Sequence, residues 1–324
     1  MYNFLFCSAG RRVKLIEDFR NTIGENGRII VADNSIYAPA RYAADKAYTV
    51  PTITDTNYID VILDICKKEK INVVLTLIDP EIELLAKNKE KFKKNGITVL
   101  VPSVDTAELC FDKYKMYKCL KEKNISTTLT YGTIEEFERE YTKGKISFPV
   151  FVKPRTGSGS VGAKKVKDIN ELKELWNKDE TLIAQEFMDG VDLDVDVYID
   201  TISKKPVAMF SKKKIETKIG GASKTISFKD EKLFENIKNI LQYFDFCGTI
   251  DMDFFYKNGE YFLSEINPRF GGAYIHAYGA GVDFPKLIMN NIDGIVNEEK
   301  IGNYEDDIMM LMYDDVIIEK LKNE

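Results

Sequence analysis

Apolar residues in the first hundred positions fall in short runs. Runs over 4–7, 29–32, 47–50, 73–77 and 97–101 have the length of strands, and Asp33, Pro51 and Pro102 stop three of them. Between them, 13–22, 58–68 and 80–94 carry apolar residues at helical spacing, the last closed by Asn95-Gly96. Short apolar strands alternating with helices predict a parallel sheet covered on both faces. This sets a first α/β domain over 1–103.

Asp112 stands where it can cap a helix over 114–123, and a short extended stretch at 127–130 precedes a helix over 134–141. Beyond Pro149 strands dominate, at 150–153, 163–166, 182–187, 194–200 and 206–214. A helix over 231–244 leads to a hairpin of 248–256 and 261–266, turned by Asn258-Gly259. A helix over 282–292 tolerates Pro285 in its first turn, and a charged tail from 298 surrounds one apolar, strand-like run at 308–313. There is no internal repeat, low-complexity segment or long linker.

Length and composition narrow the classes. At about 150 residues per domain, 324 residues predict two or three domains. Lys plus Arg number 46 against 52 for Asp plus Glu, a net charge of −6, which argues against a general nucleic-acid binder. No apolar run approaches the roughly 18 residues of a membrane span. The start, Met1-Tyr2-Asn3, has no basic stretch before its apolar run, so it does not read as a signal peptide. Five cysteines without zinc or redox spacing read as reduced thiols in a cytoplasmic protein. The single histidine, His276, excludes histidine-based metal sites and multi-histidine relays.

Gly157-Ser158-Gly159-Ser160-Val161-Gly162 matches G-x-G-x-x-G, but context decides its meaning. A dinucleotide fingerprint leads from strand to helix, whereas this loop leads into a second strand. Ala163 after Gly162 rules out a Walker A lysine, and Ala277 after His276 rules out a kinase catalytic loop. A strand–glycine loop–strand unit is either a flap whose N–H groups fold over phosphates or a mobile surface hairpin.

Charged residues around it carry the chemistry. Lys153 ends the strand before the loop, and Lys113 starts a helix, where the macrodipole disfavours a cation. Asp192, Asp194 and Asp196 alternate along one strand and so share a face, which is either solvated or meets hydroxyls or cations. Asp251 and Asp253 share a face of one hairpin strand, and Glu265 and Asn267 share a face of its partner, just before Arg269. Hard oxygen ligands without His or Cys suit Mg²⁺ held together with nucleotide phosphates. The alternative is a charged sheet face with a surface ion pair.

Taken together and in order, these segments resemble the ATP-grasp superfamily. The resemblance runs from the first α/β domain to about residue 292. It rests on Phe111-Asp112-Lys113, Phe148-Pro149-Val150-Phe151-Val152-Lys153-Pro154, the glycine loop, Gln185-Glu186-Phe187-Met188-Asp189-Gly190-Val191-Asp192, Gly248-Thr249-Ile250-Asp251-Met252-Asp253-Phe254 and Glu265-Ile266-Asn267-Pro268-Arg269-Phe270-Gly271-Gly272. Within it, the opening Phe4-Leu5-Phe6-Cys7-Ser8-Ala9-Gly10-Arg11-Arg12-Val13 and the stretch 267–281 are similar to single-module proteins named after the carbamoyl-phosphate synthase large chain. That synthase has two such modules and an arginine where Lys153 stands, so carbamoyl phosphate is not the expected product.

The resemblance implies an α/β, α+β architecture. A parallel-sheet pre-ATP-grasp domain (1–103) precedes an ATP-grasp fold of two α+β subdomains clasping the nucleotide (104–295, flap subdomain about 125–190), with a C-terminal extension (296–324). It implies ATP and Mg²⁺ (or Mn²⁺) as cofactors. Lys113 and Lys153 would contact α- and β-phosphates or adenine, with Gly157, Ser158, Gly159 and Ser160 in the flap. Glu186, Phe187 and Met188 would form the adenine hinge and Asp192 would meet the ribose. Asp253 and Glu265 would hold the metal with Asn267, Asp251 being the alternative first carboxylate, and Arg269 would stabilise the transferring phosphoryl group.

The implied activity is a carboxylate–amine ligase working through an acyl phosphate on small-molecule substrates, with a homodimer as the family-level expectation. Its alternatives are a nucleotide-binding regulator without turnover and an acyl-phosphate-forming kinase. The basic segment 218–224, read as a loop with Lys218 over the acceptor site, and Arg11, Arg12 and His276 are further substrate candidates.

Overall fold

The computed structural model describes residues 1–157, 162–218 and 221–320. Its first unit is β1 (Tyr2–Cys7), α1 (Val13–Ile23), β2 (Gly27–Asp33), α2 (Ala40–Ala43), β3 (Lys46–Thr49), α3 (Tyr58–Glu69), β4 (Val73–Thr76), α4 (Asp79–Lys93) and β5 (Thr98–Val99). The five strands form one parallel sheet in the order β3-β2-β1-β4-β5. Strand alternation divides its side chains between two cores. Phe4, Phe6, Ile29, Val31 and Val73 join Leu15, Ile16 and Phe19 of α1, while Leu5, Cys7, Ile30 and Val74 join Ile62 of α3 and Leu85 of α4. Both faces are therefore covered, as the unbroken apolar runs predict.

Helices α5 (Val104–Phe111) and α6 (Lys113–Glu122) lead to a second sheet. The Asp112 carboxylate accepts from the Tyr114 and Lys115 N–H groups, so it is the predicted cap. The second sheet comprises β6 (Thr130–Tyr131), β7 (Val150–Pro154), β8 (Lys164–Val166) and β9 (Leu182–Glu186), ordered β6-β9-β7-β8, with α7 (Ile134–Thr142) and α8 (Ile169–Lys178). Its small core is centred on Phe137, Leu172 and Trp176. Helix α8 was not read from the sequence, although Asp168 caps it and Leu172 and Trp176 repeat at four-residue spacing.

The third sheet contains β10 (Val191–Ile199), β11 (Pro206–Lys218), β12 (Gly221–Phe228), β13 (Gly248–Lys257), β14 (Glu260–Asn267) and β15 (Met309–Leu311). Its order is β14-β13-β10-β11-β12-β15, and all its pairings are antiparallel. Helices α9 (Glu231–Leu241), α10 (Tyr274–Gly279) and α11 (Phe284–Ile292) complete the chain. Asn258 and Gly259 take φ of 53° and 83°, the left-handed pair that a tight hairpin turn requires.

One expectation is corrected. Lys218 and residues 221–224 lie in strands and not in a loop between strand and helix, and residues 219 and 220 lie outside the described residues. Strand β11 continues to Lys218 and pairs with β12, which the sequence reading lacked. The strand-like run at 308–313 does carry a strand, β15, which adds an edge to this sheet. No helix among the described residues is long and apolar enough to cross a membrane.

Candidate functional site

The third sheet has one apolar and one charged face. Leu193, Val195, Ile250, Met252 and Phe254 are buried in the same core as Leu233, Phe234 and Ile237 of α9. The intervening residues point the other way. Asp194 stands opposite Asp253 and Asp196 opposite Asp251, while Asp251 faces Asn267 and Asp253 faces Glu265 on β14. From β11, Lys212 stands opposite Asp194. The charged face is not the solvated one that the alternation of Asp192, Asp194 and Asp196 left open. Asp194 and Asp196 are buried, and Asp192 alone of the three is substantially exposed.

At one end the face gathers the metal and phosphate candidates. Lys214 pairs with Asp253, and with Asp192 at 3.0 Å, and Asn267 Nδ2 donates to Asp253 Oδ2 at 3.4 Å. The ammonium of Lys214 on Asp253 shows that this carboxylate accepts a cation. Lys113 lies 3.3 Å from Glu265 and donates to the Gly157 carbonyl, which explains a lysine in the first turn of a helix. Burial lowers the pKa of Lys153, which shares this end with Glu265, Lys113 and Asp253. Burial pushes Glu265 up, but Lys113 and Lys153 outweigh it and hold the carboxyl below its usual range. Asp253 is raised, chiefly by burial, against the pull of Lys214.

The flap base is tied to the same place. Arg155 makes a two-pronged ion pair with Asp112, both bonds 2.7 Å, and the Lys113 N–H donates to the Arg155 carbonyl at 3.1 Å. The β7–β8 pairing, Val152 opposite Lys164, has the strand–loop–strand form expected of a flap. Gly157 takes a φ of 105°, open to glycine at little cost. Ser158, Gly159 and Ser160 lie outside the described residues.

Glu186, Phe187 and Met188 stand where β9 gives way to β10, so they join the second sheet to the third. The Glu186 carboxylate accepts from the Leu129 N–H at 2.9 Å, and Lys165 Nζ sits 3.7 Å from the centre of the exposed Phe187 ring. A small cleft lies next to β9, lined by Met116, Tyr117, Thr130 and Gln185 and, towards the charged face, by Lys113 and Glu265.

At the other end the predicted Arg269 and Arg12 meet two groups the sequence reading missed, Lys212 and Asp79. Lys212 is fully buried, 2.9 Å from Asp194 and also paired with Asp196. Burial opposes its charge, but Asp194 and Asp196 more than compensate and raise its pKa. Arg269 is clamped by Asp79 from the first turn of α4, Nε to Oδ1 at 3.0 Å and NH2 to Oδ2 at 3.1 Å. A third Arg269 nitrogen reaches Asp251 at 3.5 Å. Arg12, after β1, donates to the Gly271 carbonyl at 2.8 Å. The first sheet thus presents the carboxyl ends of its strands to this face, where ligands bind in open parallel sheets.

His276 is buried, its Nδ1 2.7 Å from the Thr225 hydroxyl. Burial, with Lys212 nearby, lowers its pKa to about 4, so the ring is neutral at pH 7. Lys218 is not brought to this face. Its side chain is 70% exposed and pairs with Glu216 at 3.4 Å. Lys212 and Lys214, alternating on the same strand opposite the aspartates, stand in the site instead; that alternation was the available signal.

A flap, a hinge joining two antiparallel sheets and an oxygen-ligand face beside buried cations define a two-part nucleotide-clasp protein. The chain belongs to the ATP-grasp family, whose domain model matches residues 110–273; a PylC-like N-terminal domain model matches 4–100. It is 27% identical over 280 residues to the phosphoribosylamine–glycine ligase of Fusobacterium nucleatum, covering 77% of this chain and 64% of that protein. It is 25% identical over 261 residues to the formate-dependent phosphoribosylglycinamide formyltransferase of Prochlorococcus marinus, covering 75% of this chain and 63% of that one. This chain therefore spans somewhat less than two thirds of either relative. Among solved structures, N5-carboxyaminoimidazole synthetase from Staphylococcus aureus with ADP superimposes with a TM-score of 0.73 at 16% identity, over 92% of this chain and 79% of that one. The L-amino acid ligase from Bacillus licheniformis gives 0.68 at 18% identity, over 92% and 75%. These structural likenesses carry the fold.

Proposed function

We propose that the protein is an ATP-dependent ligase that activates a small-molecule carboxylate as an acyl phosphate and couples it to an amine, releasing ADP and phosphate. The observation that carries this reading is the charged end of the third sheet. Asp253, Glu265 and Asn267 lie together there among Lys113, Lys153 and Lys214, with Arg269 next along the face and acting on Glu265. Transfer of a phosphoryl group needs positioning and charge neutralisation and no protein nucleophile.

Asp253, Glu265 and Asn267 offer only hard oxygen donors, a set that fits Mg²⁺ or Mn²⁺. When bound, the metal neutralises charge on the β- and γ-phosphates. The chain's own groups do the rest in this reading. Lys113 and Lys153 hold the α- and β-phosphates, the flap from Gly157 to Ser160 covers them and excludes water, and Glu186, Phe187 and Met188 receive adenine while Asp192 meets the ribose. Arg269, held in place by Asp79, meets the γ-phosphoryl group as the substrate carboxylate attacks it, beside Asn267. The amine then attacks the acyl carbon and phosphate leaves. Residues 1–103, 104–295 and 296–324 are the proposed domain divisions, and a homodimer is the proposed assembly.

The test is phosphate release from Mg·ATP against carboxylate and amine substrates, alone and in pairs. Release that requires a pair supports a ligase. Release with a carboxylate alone indicates the kinase alternative, and nucleotide binding without release indicates the regulator. No binding of Mg·ATP at millimolar nucleotide removes the whole reading.

A further inference from the structure

The first unit meets the charged face at residues 269–271 through two arms. One is Asp79, whose carboxylate pairs with Arg269 Nε at 3.0 Å and NH2 at 3.1 Å. The other is the turn after β1, where Arg12 donates to the Gly271 carbonyl at 2.8 Å. Both arms start from one buried carboxylate that the proposed chemistry does not use. Glu81 lies two residues after Asp79, in the first turn of α4, and is fully buried. Its oxygens accept from the Ser8 hydroxyl at 2.8 Å, the Thr76 hydroxyl at 2.6 Å and the Tyr58 hydroxyl. Thr76 ends β4, Ser8 follows β1 and Tyr58 starts α3. No cation meets Glu81 among the described residues.

Ser8 opens the arm that ends in Arg12. It takes a φ of 52°, a left-handed conformation that is costly for a residue with a side chain. Its N–H donates to the Ala32 carbonyl at 2.8 Å and its hydroxyl to Glu81, so it is held from both sides. Thr76 carries the second connection. The Ile78 N–H donates to the Thr76 hydroxyl at 3.3 Å, and Ile78 directly precedes Asp79. Pro80, between the two acids, has a fixed φ and stiffens the turn. Asp79 and Glu81 thus form one unit, with one carboxylate locked into the end of the sheet and the other on Arg269. Stability does not account for Glu81. Burial pushes its pKa up while the hydroxyls pull it down. A buried carboxylate without a cation gains little over apolar side chains of the same volume. What it gains over them is a single fixed position, because each hydrogen bond has a direction.

We propose that Glu81 is a positioning residue for phosphoryl transfer: it fixes the first turn of α4 and, through Asp79, sets the place of the Arg269 guanidinium. The proposal rests on the ligase reading for what Arg269 does, but not for where Arg269 stands. The Ser8 arm has a second tie, the Gly10 N–H on Asp33 at 2.9 Å. Loss of Glu81 therefore acts mainly through the Asp79 arm.

Two variants separate position from folding. Glu81→Gln keeps the shape and one acceptor oxygen, and the hydroxyls can turn to accept from its NH₂ group. Glu81→Met fills the space and holds none of them. In phosphate release from Mg·ATP, Glu81→Met should lower kcat about tenfold with KM for ATP changed by less than about twofold, and Glu81→Gln should stay within about threefold of the natural protein. Adding Asp79→Asn to Glu81→Met should cost less than about twofold more, because both act at Arg269. The Arg269 Nε–H resonance, assigned in ¹⁵N-labelled protein by its loss in Arg269→Lys, should move in Glu81→Met as it does in Asp79→Asn, and stay in Glu81→Gln. Multiplying effects in the double variant, a change in KM alone, or an unmoved Arg269 resonance overturns the proposal. Should Glu81→Met melt below the assay temperature, Thr76→Val takes its place, since it removes one donor and the tie to Ile78, and the same resonance should move. If the natural protein releases no phosphate with any substrate pair, the ligase reading falls and the resonance still decides the proposal.

Discussion

The parallel sheet of the first unit and the antiparallel sheet of the third bury residues to similar depth, but different kinds. Leu5 and Phe6, successive on β1, enter two apolar cores on opposite faces. Asp253 and Phe254, successive on β13, separate charge from core, with Phe254 fully buried in apolar contacts and Asp253 against Lys214. A sheet covered by helices on both faces buries few charges, and Glu81, fully buried there, is met by the Ser8, Tyr58 and Thr76 hydroxyls and not by cations. A sheet covered on one face can line a cleft with charges that neighbouring strands hold in register. The cost of desolvating those charges marks the second face as functional.

The largest effects should come from exchanging the characters of the two faces. Phe254→Ala should cost about 3–5 kcal/mol in stability, read by denaturant unfolding, because the cavity lies in the main core. Asp253→Asn and Glu265→Gln should leave the fold intact and lower Mg·ATP turnover by about two to three orders of magnitude. If Asp253→Asn unfolds the protein as Phe254→Ala does, the charged face is structural and the comparison fails.

Asp79→Asn should come next. It leaves Arg269 in place but removes the two-pronged clamp that the first unit provides. Turnover should fall by about tenfold, mainly in kcat, with KM for ATP little changed. A KM effect alone would mean that Asp79 does not position Arg269.

Asp18, on α1, sharpens the comparison from the other side. It is 1% exposed and lies outside the charged face, with Lys14 at 3.3 Å as its ion-pair partner. Burial pushes its pKa up from 3.8 to about 6, against the pull of Lys14. The folded state therefore binds a proton more tightly than the unfolded chain, and this group's contribution to stability falls as pH rises from 3.8 to about 6. Asp18→Asn should gain about 2 kcal/mol at pH 7, and the gain should vanish below about pH 4. Thermal melts across that range would show it, and a gain independent of pH would contradict it.

The smallest effect should belong to Lys218. Lys218→Ala removes an exposed lysine paired with Glu216 and should change turnover by less than about twofold. Lys214→Ala, which uncovers Asp253, should reduce it far more.

Strand alternation made Asp251 and Asp253 legible as one pair and Glu265 and Asn267 as another, but the register of the Asn258-Gly259 turn alone would set Ser264 opposite Asp253; a bulge between Asp253 and Phe254 shifts the pairing by one and brings Glu265 there. The same parity puts Lys212 and Lys214 opposite the aspartates, and reading β11 only to 214 as a strand obscured the hairpin with β12. Contacts across long separations were not legible. Asp79 and Arg269 lie 190 positions apart, and Arg155 and Asp112 lie 43 apart; neither pair leaves a local pattern. Helix α8 had both its cap and its spacing in view and was simply overlooked in a stretch dominated by strands.

The most direct test is calorimetric titration of ATP, with and without Mg²⁺, into the protein and into Glu265→Gln and Lys218→Ala. Binding that strengthens with Mg²⁺ in the natural protein and in Lys218→Ala, and loses its Mg²⁺ dependence in Glu265→Gln, is the predicted result. Binding that is absent, or that keeps its full Mg²⁺ dependence in Glu265→Gln, would contradict the assignment of the charged face as the nucleotide and metal site.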